Sequence, residues 1–534
     1  MTITDASVSQ PEKFLDENSD VGSSASDQNI LTVAKGGSLS FIGTMLEYAG
    51  RFILGFLLAR LLGDEQYGLY SVADSTFYIV VGVALLGLNT GTTHFISMFA
   101  AERDREALWQ TIQIGGGLPL LISLLGGLLC FGLAAPLAEI IFREPSLVPL
   151  LRIVAIAVPA GTLATVASFV LLGFKRVEYS VIAQNILQTY LKLFLIVGLA
   201  FTGLTAVKAM TVYSMGAIAS CGLLLYFVNK LFPLNRPLRV SRRHARRMLH
   251  FSLPVYLSEL LLMLGPNLRI LLLGALSTVA SAGVFTVASR VSMVSTAFYT
   301  SISMMSMPVV SELHAGGDMQ KLRRFFQTMT KWTLTFSLPF FLLILFFSRP
   351  ILSVFGDSYV SGSLGLIILA GNDLFGAAVG ICGVMVTMTG NTKLNILNAA
   401  VRSLLLALLS LWLIPRWGVV GAALATTISL STVNLMLMLE VFFLFRILPY
   451  NRSFVKPVIA ALLASLATYA LRQWLLPGNS TAGTIIGAGI LLFTYVSALL
   501  MLGLSKEDQM VVERLRERVS RIPALSQLFE RISS

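Results

Sequence analysis

Charge is scarce in this chain. Asp, Glu, Lys and Arg together make up 12% of its 534 residues, about half the share of a soluble globular domain. Apolar stretches follow one another from 34 to 504 with short connections, so no soluble domain fits between them. Cysteine is almost missing as well: Cys130, Cys221 and Cys382 form an odd set scattered inside apolar segments. They read as small packing residues, which excludes a disulfide framework. The four histidines, His94, His244, His250 and His314, lie far apart, and no His and Cys cluster has metal-ligand spacing. No glycine-rich loop is followed by Lys and Ser or Thr, which argues against ATP hydrolysis by this chain. Neither a metal nor a cofactor is expected.

Hydrophobic residues make up 55% of the chain. They fall into fourteen stretches near 36–60, 68–100, 107–134, 147–173, 179–201, 205–231, 249–274, 278–310, 326–347, 359–389, 393–414, 418–445, 453–475 and 481–503. A spanning helix needs about 20 apolar residues, and long runs with internal Gly and Pro favour helices over a transmembrane barrel. The expected fold class is an all-α integral membrane protein with about fourteen transmembrane helices. Residues 1–30 carry Asp5, Glu12, Asp16, Glu17, Asp20 and Asp27 against a single Lys13, and read as a disordered cytosolic tail rather than a cleaved signal. Alternate loops are unequal in positive charge. One side collects Arg103, Arg105, Lys175, Arg176, the Arg-rich stretch 232–248, Lys321, Arg323, Arg324, Lys393 and Arg446, whereas the other holds Arg143, Lys208, Arg349, Arg416 and Arg472. The positive-inside rule then places both termini in the cytosol, across a cytoplasmic membrane. The net charge of +12 is largely this bias, with membrane lipids as the expected contact. Nucleic-acid binding is a poor explanation, because the basic residues sit in short loops without a binding module.

An internal repeat organises the chain. Gly68-Leu69-Tyr70-Ser71-Val72-Ala73-Asp74-Ser75 returns 215 residues later as Gly283-Val284-Phe285-Thr286-Val287-Ala288-Ser289-Arg290. The flanking order of helices and charged loops is the same at both places, and Gly173 to Asn185 corresponds likewise to Gly390 to Arg402. Two pseudo-symmetric six-helix lobes are therefore expected, at 31–231 and 249–447, joined by a basic cytosolic linker at 232–248. Two extra helices follow at 448–504. After them, 505–534 shows apolar residues at helical spacing among arginines and reads as an amphipathic helix on the cytosolic leaflet.

The stretch Leu57-Leu58-Ala59-Arg60-Leu61-Leu62-Gly63-Asp64-Glu65-Gln66-Tyr67-Gly68-Leu69-Tyr70, with Gly87-Leu88-Asn89 and Ala100-Ala101-Glu102-Arg103, resembles the amino-terminal signature of polysaccharide-export proteins of the multidrug, oligosaccharidyl-lipid and polysaccharide exporter superfamily. The resemblance implies a flippase that carries a lipid-linked oligosaccharide from the cytosolic to the outer leaflet by alternating access of two lobes. The cargo it implies is a polyprenyl pyrophosphate glycan for cell-surface polysaccharide synthesis, with a polymerase or other export machinery as possible partners. Three rivals stand beside it: a cation-coupled drug exporter of the same superfamily, a non-transporting membrane scaffold, and a membrane glycosyltransferase using Asp64 and Glu65. The last is disfavoured by the shortness of that outer loop, so the protein is not expected to be an enzyme.

Polar residues at depth carry the test. Glu47, Arg51, Asp74, His94, Lys192, Glu259, Arg269, Arg290, Asp373 and Arg402 all fall within apolar spans. An ionised side chain near mid-bilayer costs about 2.5–3.5 kcal/mol even on insertion scales, so these groups must face protein, water or each other. Glu47 and Arg51, four residues apart, share a helix face and can neutralise each other; Lys192 either snorkels or binds cargo. Arg269, Arg290 and Arg402 have no acidic residue three or four positions away. Their partners come from another helix, such as Glu259 for Arg269 or Asp74 for Arg290, or from a ligand. A planar guanidinium fork suits a phosphate, so Arg51, Arg269, Arg290, Arg402 and Lys192 are the candidate cargo-binding set, and Glu47, Asp74, Glu259 and Asp373 the candidate gating or ion-coupling set. Pro254 and Pro266 bracket the middle of the seventh stretch and are the hinge candidates. Met293, Met304, Met305 and Met307 read either as packing or as an adaptable lining.

Overall fold

The computed structural model describes residues 24–233, 237, 240–474, 481–503, 508 and 509. Most of the acidic tail and of the amphipathic segment at 505–534 lies outside the described residues. The described part is helical, with no strand. Its elements are α1 (Ser24–Leu85), α2 (Leu88–Ala101), α3 (Arg105–Gly132), α4 (Leu147–Gly173), α5 (Val177–Ala200), α6 (Ala206–Leu231), α7 (Arg242–Leu276), α8 (Val279–Ala315), α9 (Met319–Ser353), α10 (Ser363–Val379), α11 (Cys382–Met388), α12 (Thr392–Phe445), α13 (Val455–Trp474) and α14 (Thr481–Met501). Helix α1 opens at Ser24, inside the stretch expected to be a tail.

Twelve helices among the described residues are long and apolar enough to cross a membrane. The sequence offers fourteen apolar stretches, and the difference has a local cause. Two of the twelve run for 43 and 53 residues, about 65 and 80 Å at the α-helical rise, against a hydrocarbon core of roughly 30 Å. Helical geometry breaks once in each, at Gly63 (φ 74°, ψ 174°) in α1 and at Gly418 (φ 52°, ψ −122°) in α12, three residues after Pro415. Both angles lie where only glycine is unstrained, so a single residue does the work of a connecting loop. Asp64 and Glu65, the acidic pair of the glycosyltransferase reading, therefore sit at a helix break instead of in a loop.

Two compact units make up the chain, one running to Val287 with Ser410–Val419 added, the other comprising Ala288–Leu409 and the chain from Val420 onward. In the first unit α4 is the central helix. Leu147, Leu150, Leu151, Val154, Ala157 and Val158 along it have no exposed surface, and α1, α3 and α6 pack around it. Second-unit packing centres on α9. Leu334, Leu338 and Phe347 meet Ala460 and Ala464 of α13 and Leu491 and Tyr495 of α14, and the Tyr495 hydroxyl donates to the Thr335 carbonyl at 2.8 Å. Large apolar side chains left outside, such as Phe194, Ile140 and Leu128, form the lipid-facing surface that a soluble protein would not tolerate.

The two copies of the repeated segment touch at their glycines. A Cβ on Gly68 would stand 2.0 Å from the Val279 carbonyl oxygen, and one on Gly283 would stand 2.3 Å from the Asp64 carbonyl oxygen. Helices meet here backbone to backbone, the close approach that small residues permit in membranes. Gly116 and Gly117 on α3, by contrast, have nothing within 4 Å of where a methyl group would stand. Gly68→Ala or Gly283→Ala is expected to destabilise the detergent-solubilised protein by about 1–3 kcal/mol through overpacking, whereas Gly116→Ala should leave it unchanged or slightly firmer. Thermal unfolding followed by size-exclusion chromatography measures this; equal transition temperatures for all three variants would show that the glycine crossing does not hold the fold.

Candidate functional site

The first unit gathers four of the charges singled out by the sequence. Arg51 Nη2 pairs with Glu47 Oε1 at 2.8 Å, one turn apart on α1, with the arginine half exposed and the glutamate mostly covered. Tyr78 and Asp74 on α1 and Tyr213 on α6 lie within electrostatic reach of Arg51, and Tyr78 is also within reach of Glu47. Lys192 completes the group from α5: its Nζ stands 4.5 Å above the Tyr213 ring, and its side chain is only 8% exposed. Gly216 on α6 makes room for the lysine stem, since a Cβ there would press on Lys192 Cγ at 2.9 Å. Tyr70 and Phe77 close the aromatic wall, edge-on to Tyr213 at 6.3 and 5.3 Å. Two carboxyl groups and two basic side chains are thus matched in number within the cluster. The tyrosines were not expected, although Tyr70, Asp74 and Tyr78 recur every fourth residue on one helix face, a spacing visible in the sequence.

Glu259 belongs to a different arrangement. Helix α1 stops at Leu85, two left-handed residues follow, Leu86 (φ 48°) and Gly87 (φ 69°), and α2 starts at Leu88. In an unbroken helix the amides of Leu86 and Gly87 would serve the carbonyls of Gly82 and Val83. Here the Tyr256 hydroxyl of α7 lies 3.2 Å from both oxygens. One turn further along α7, the Glu259 carboxylate accepts from Thr90 Oγ1 at 2.9 Å and from Asn89 Nδ2 at 3.4 Å, in the first turn of α2. Gly82, Gly87 and Gly91 let α7 seat itself, each facing Met263, Tyr256 or Ser252 where a Cβ would clash. Pro254 and Pro266 flank this contact and α7 keeps its helical run through both. The expected pairing of Arg269 with Glu259 is replaced by these α2 contacts on the glutamate side, and the Arg269 guanidinium lies 6.0 Å over the Phe285 ring.

In the second unit Asp373 accepts a short hydrogen bond from the Ser292 hydroxyl, two residues beyond Arg290 on α8. Asn372 beside it reaches Asp373 Oδ1 at 3.5 Å and accepts from Ser431 at 3.4 Å. Arg402, half-buried on α12, makes no ion pair or hydrogen bond among the described residues. Two polar contacts went unnoticed in the sequence. Glu440 accepts from Asn398 Nδ2 at 3.0 Å, and Lys331, 4% exposed, is bound to Asp508 at 2.5 Å with Trp332 Nε1 donating to the same oxygen at 2.8 Å. Asp508 lies beyond the last apolar stretch, where only a structure could supply its partner.

Outside the spans the linker is tied to the first unit. Pro237 O accepts from Trp109 Nε1 at 3.0 Å and from Gln113 Nε2 at 3.1 Å. His244 Nε2 meets Thr111 Oγ1 at 3.0 Å. Because Thr111 donates its proton to the Ala107 carbonyl, the histidine nitrogen is the donor. Burial, with Arg247 beside it, pushes the His244 imidazole below its ordinary pKa against the opposing pull of Asp104, so the ring is neutral at physiological pH. At the start of α9, hydrogen bonds from Lys321 in its first turn hold the carboxyl of the capping Asp318 below the usual range.

This geometry has relatives. Residues 57–363, more than half of the chain, match the family described as "Polysaccharide biosynthesis protein". The "Probable low-salt glycan biosynthesis flippase Agl15" of Haloferax volcanii is 27% identical over 161 residues, 30% of this chain and 34% of that protein, so the aligned part spans about a third of the relative. Among solved structures, the inward closed conformation of the lipid II flippase MurJ superposes with a TM-score of 0.69 at 16% identity, covering 88% of this chain and 98% of that one. An inward-facing multidrug resistance MATE transporter of the MOP superfamily gives 0.63 at 16% identity, covering 75% and 94%. These likenesses show a common fold, and they are transporters, not enzymes. The chain belongs to the polysaccharide biosynthesis protein family, a multi-pass membrane protein that shares its fold with the MurJ and MATE structures.

Proposed function

We propose that this protein translocates a polyprenyl pyrophosphate oligosaccharide or polysaccharide precursor across the cytoplasmic membrane by alternating access, with both termini in the cytosol. The observation that carries the reading is Arg402, a half-buried guanidinium on a membrane helix with no ion-pair partner among the described residues. A permanent charge in that position is costly unless a counter-charge arrives, and a planar fork receives a phosphate in bidentate fashion. Arg51 supports it: though paired with Glu47, its side chain is 52% exposed, so the guanidinium still offers donors to a ligand. Arg269, Arg290 and Lys192 complete the proposed cationic set. The family description and the glycan flippase relative agree with a sugar-bearing cargo.

A second reading, a cation-coupled exporter of small molecules, draws on the carboxylates and on the likeness to MATE transporters. In that reading Glu259, Asp74 and Asp373 bind the coupling ion. Proteoliposomes loaded with a labelled polyprenyl pyrophosphate oligosaccharide separate the two. Losing a charge-assisted hydrogen bond costs about 1.5–3 kcal/mol, so Arg402→Ala should slow translocation roughly tenfold to a hundredfold, and Arg402→Lys should recover only part of it. Wild-type flipping by Arg402→Ala would remove the cationic mechanism. Efflux of organic cations by a wild-type protein that flips no lipid, abolished by Glu259→Gln or Asp373→Asn, would transfer the assignment to the exporter.

Orientation gives an independent check. Ser241 precedes α7 at the end of the linker, and the distribution of loop arginines places it inside. A Cys introduced there, in a background with the three native cysteines replaced, should resist an impermeant maleimide in intact cells and react after permeabilisation. Labelling from outside would invert the proposed direction of transport.

A further inference from the structure

The first unit holds a cavity whose walls do not include the charged cluster around Arg51 and Lys192. It measures about 160 Å³ and lies among α3, α4 and α6, with Trp109, Gln113, Val166, Val170, Leu225 and Val228 on its walls. Gly116 and Gly117 form one side of it, and no neighbouring helix comes within 4 Å of where their side chains would begin. Most other glycines on these helices are small because a neighbour presses on them, as Thr92 does on Gly115 and Ala155 on Gly127. At 116 and 117 no neighbouring helix fills the room. A void of this size lined by apolar groups stays dry and accepts a hydrocarbon guest.

Its polar edge is the linker. Trp109 and Gln113 both line the cavity and donate to Pro237 O, so that residue of the linker is fixed at the cavity's edge. Past Pro237 the chain exposes Arg242, Arg243 and Arg246, and Lys230 is exposed at the end of α6. An apolar slot under a cationic rim matches the two ends of one molecule. We infer that the cavity among α3, α4 and α6 takes up a short segment of an acyl chain of an anionic phospholipid from the linker-side leaflet, its phosphate held by Arg242 and Arg243. Bound there, the lipid would hold the linker against α3. A basic residue near a charged membrane surface adds about a fivefold in affinity, so two arginines give a selectivity for anionic over zwitterionic lipid of about 25-fold.

Trp109 supplies the probe, because it is 7% exposed and faces the cavity. In full-length protein retaining Trp109 and carrying Phe at Trp332, Trp412, Trp417 and Trp474, fluorescence is measured in phosphatidylcholine vesicles containing a few per cent of lipid brominated on its acyl chains. Brominated phosphatidylglycerol should quench at a mole fraction at least tenfold below that needed for brominated phosphatidylcholine. Arg242→Gln with Arg243→Gln should abolish the difference, and Gly117→Leu should weaken quenching by both lipids. Should the Trp-poor protein fail to fold, native mass spectrometry of the parent chain counts retained phosphatidylglycerol against phosphatidylcholine with the same variants. Equal affinity for the two lipids, or a preference that survives loss of both arginines, overturns the proposal. A preference for brominated polyprenyl phosphate over phosphatidylglycerol would likewise overturn it, in favour of the cargo tail.

Discussion

Wherever this chain leaves helical geometry inside hydrocarbon, it strands backbone oxygens that water cannot reach, and each such group costs several kcal/mol unless a neighbouring helix supplies a donor. The rest of the architecture follows from how that is done. At the break between α1 and α2 the Tyr256 hydroxyl serves the Gly82 and Val83 carbonyls, and the position of α7 is thereby settled to within a side chain's length. At the break between α10 and α11, Gly380 (φ 72°) turns the chain and the Thr333 hydroxyl of α9 donates to the Ala377 carbonyl at 2.8 Å. Each discontinuity thus specifies its neighbour. Such breaks are tolerated only where another helix is already in place, so they act as registration marks for packing.

Charge obeys the same constraint and divides the ionisable groups into two kinds. Glu47, Arg51, Asp74 and Lys192 come with opposite charges and a pair of tyrosine hydroxyls between helices α1, α5 and α6, so their burial is internally compensated. Lys331 is compensated too, by a carboxylate that arrives from beyond α14. Arg402 is not, among the described residues. A compensated cluster can persist as structure whatever the protein transports. An uncompensated cation at membrane depth has no structural return for its desolvation, which is why the functional reading leans on it and not on the better-connected groups.

Much of this was legible in the sequence. Apolar stretches of about 20 residues and the asymmetry of loop arginines define a polytopic helical protein, and the repeat at Gly68 and Gly283 marks the two segments that meet backbone to backbone. The Glu47 and Arg51 pair followed from spacing on one helix face. Other contacts were not legible, because they join residues distant in sequence. Glu259 pairs with Asn89 and Thr90 across 170 and 169 positions, and Lys331 with Asp508 across 177; no periodicity links such groups. The helix count was blurred for a different reason. A turn made by one glycine leaves no polar loop to interrupt a hydropathy pattern, so Gly63 and Gly418 show only as residues inside long apolar runs.

The residues that carry the family resemblance turn out to be those with backbone duties. Gly63 makes the break in α1, Tyr67 is fully buried, Gly68 admits Val279, Gly87 takes the left-handed turn, and Asn89 donates to Glu259. Each requirement concerns how helices stop, cross or restart, and none involves a ligand. Such a signature reports the fold and would serve a lipid-linked glycan or a small cation equally well, consistent with a likeness that extends to both flippases and multidrug transporters. Cargo must therefore be read from positions the signature leaves free, where nothing in the packing dictates the side chain. Arg402 is such a position, since an apolar residue of the same length would satisfy the helix and the membrane better, and a phosphate-bearing cargo of the kind proposed would give its planar fork a use that packing does not.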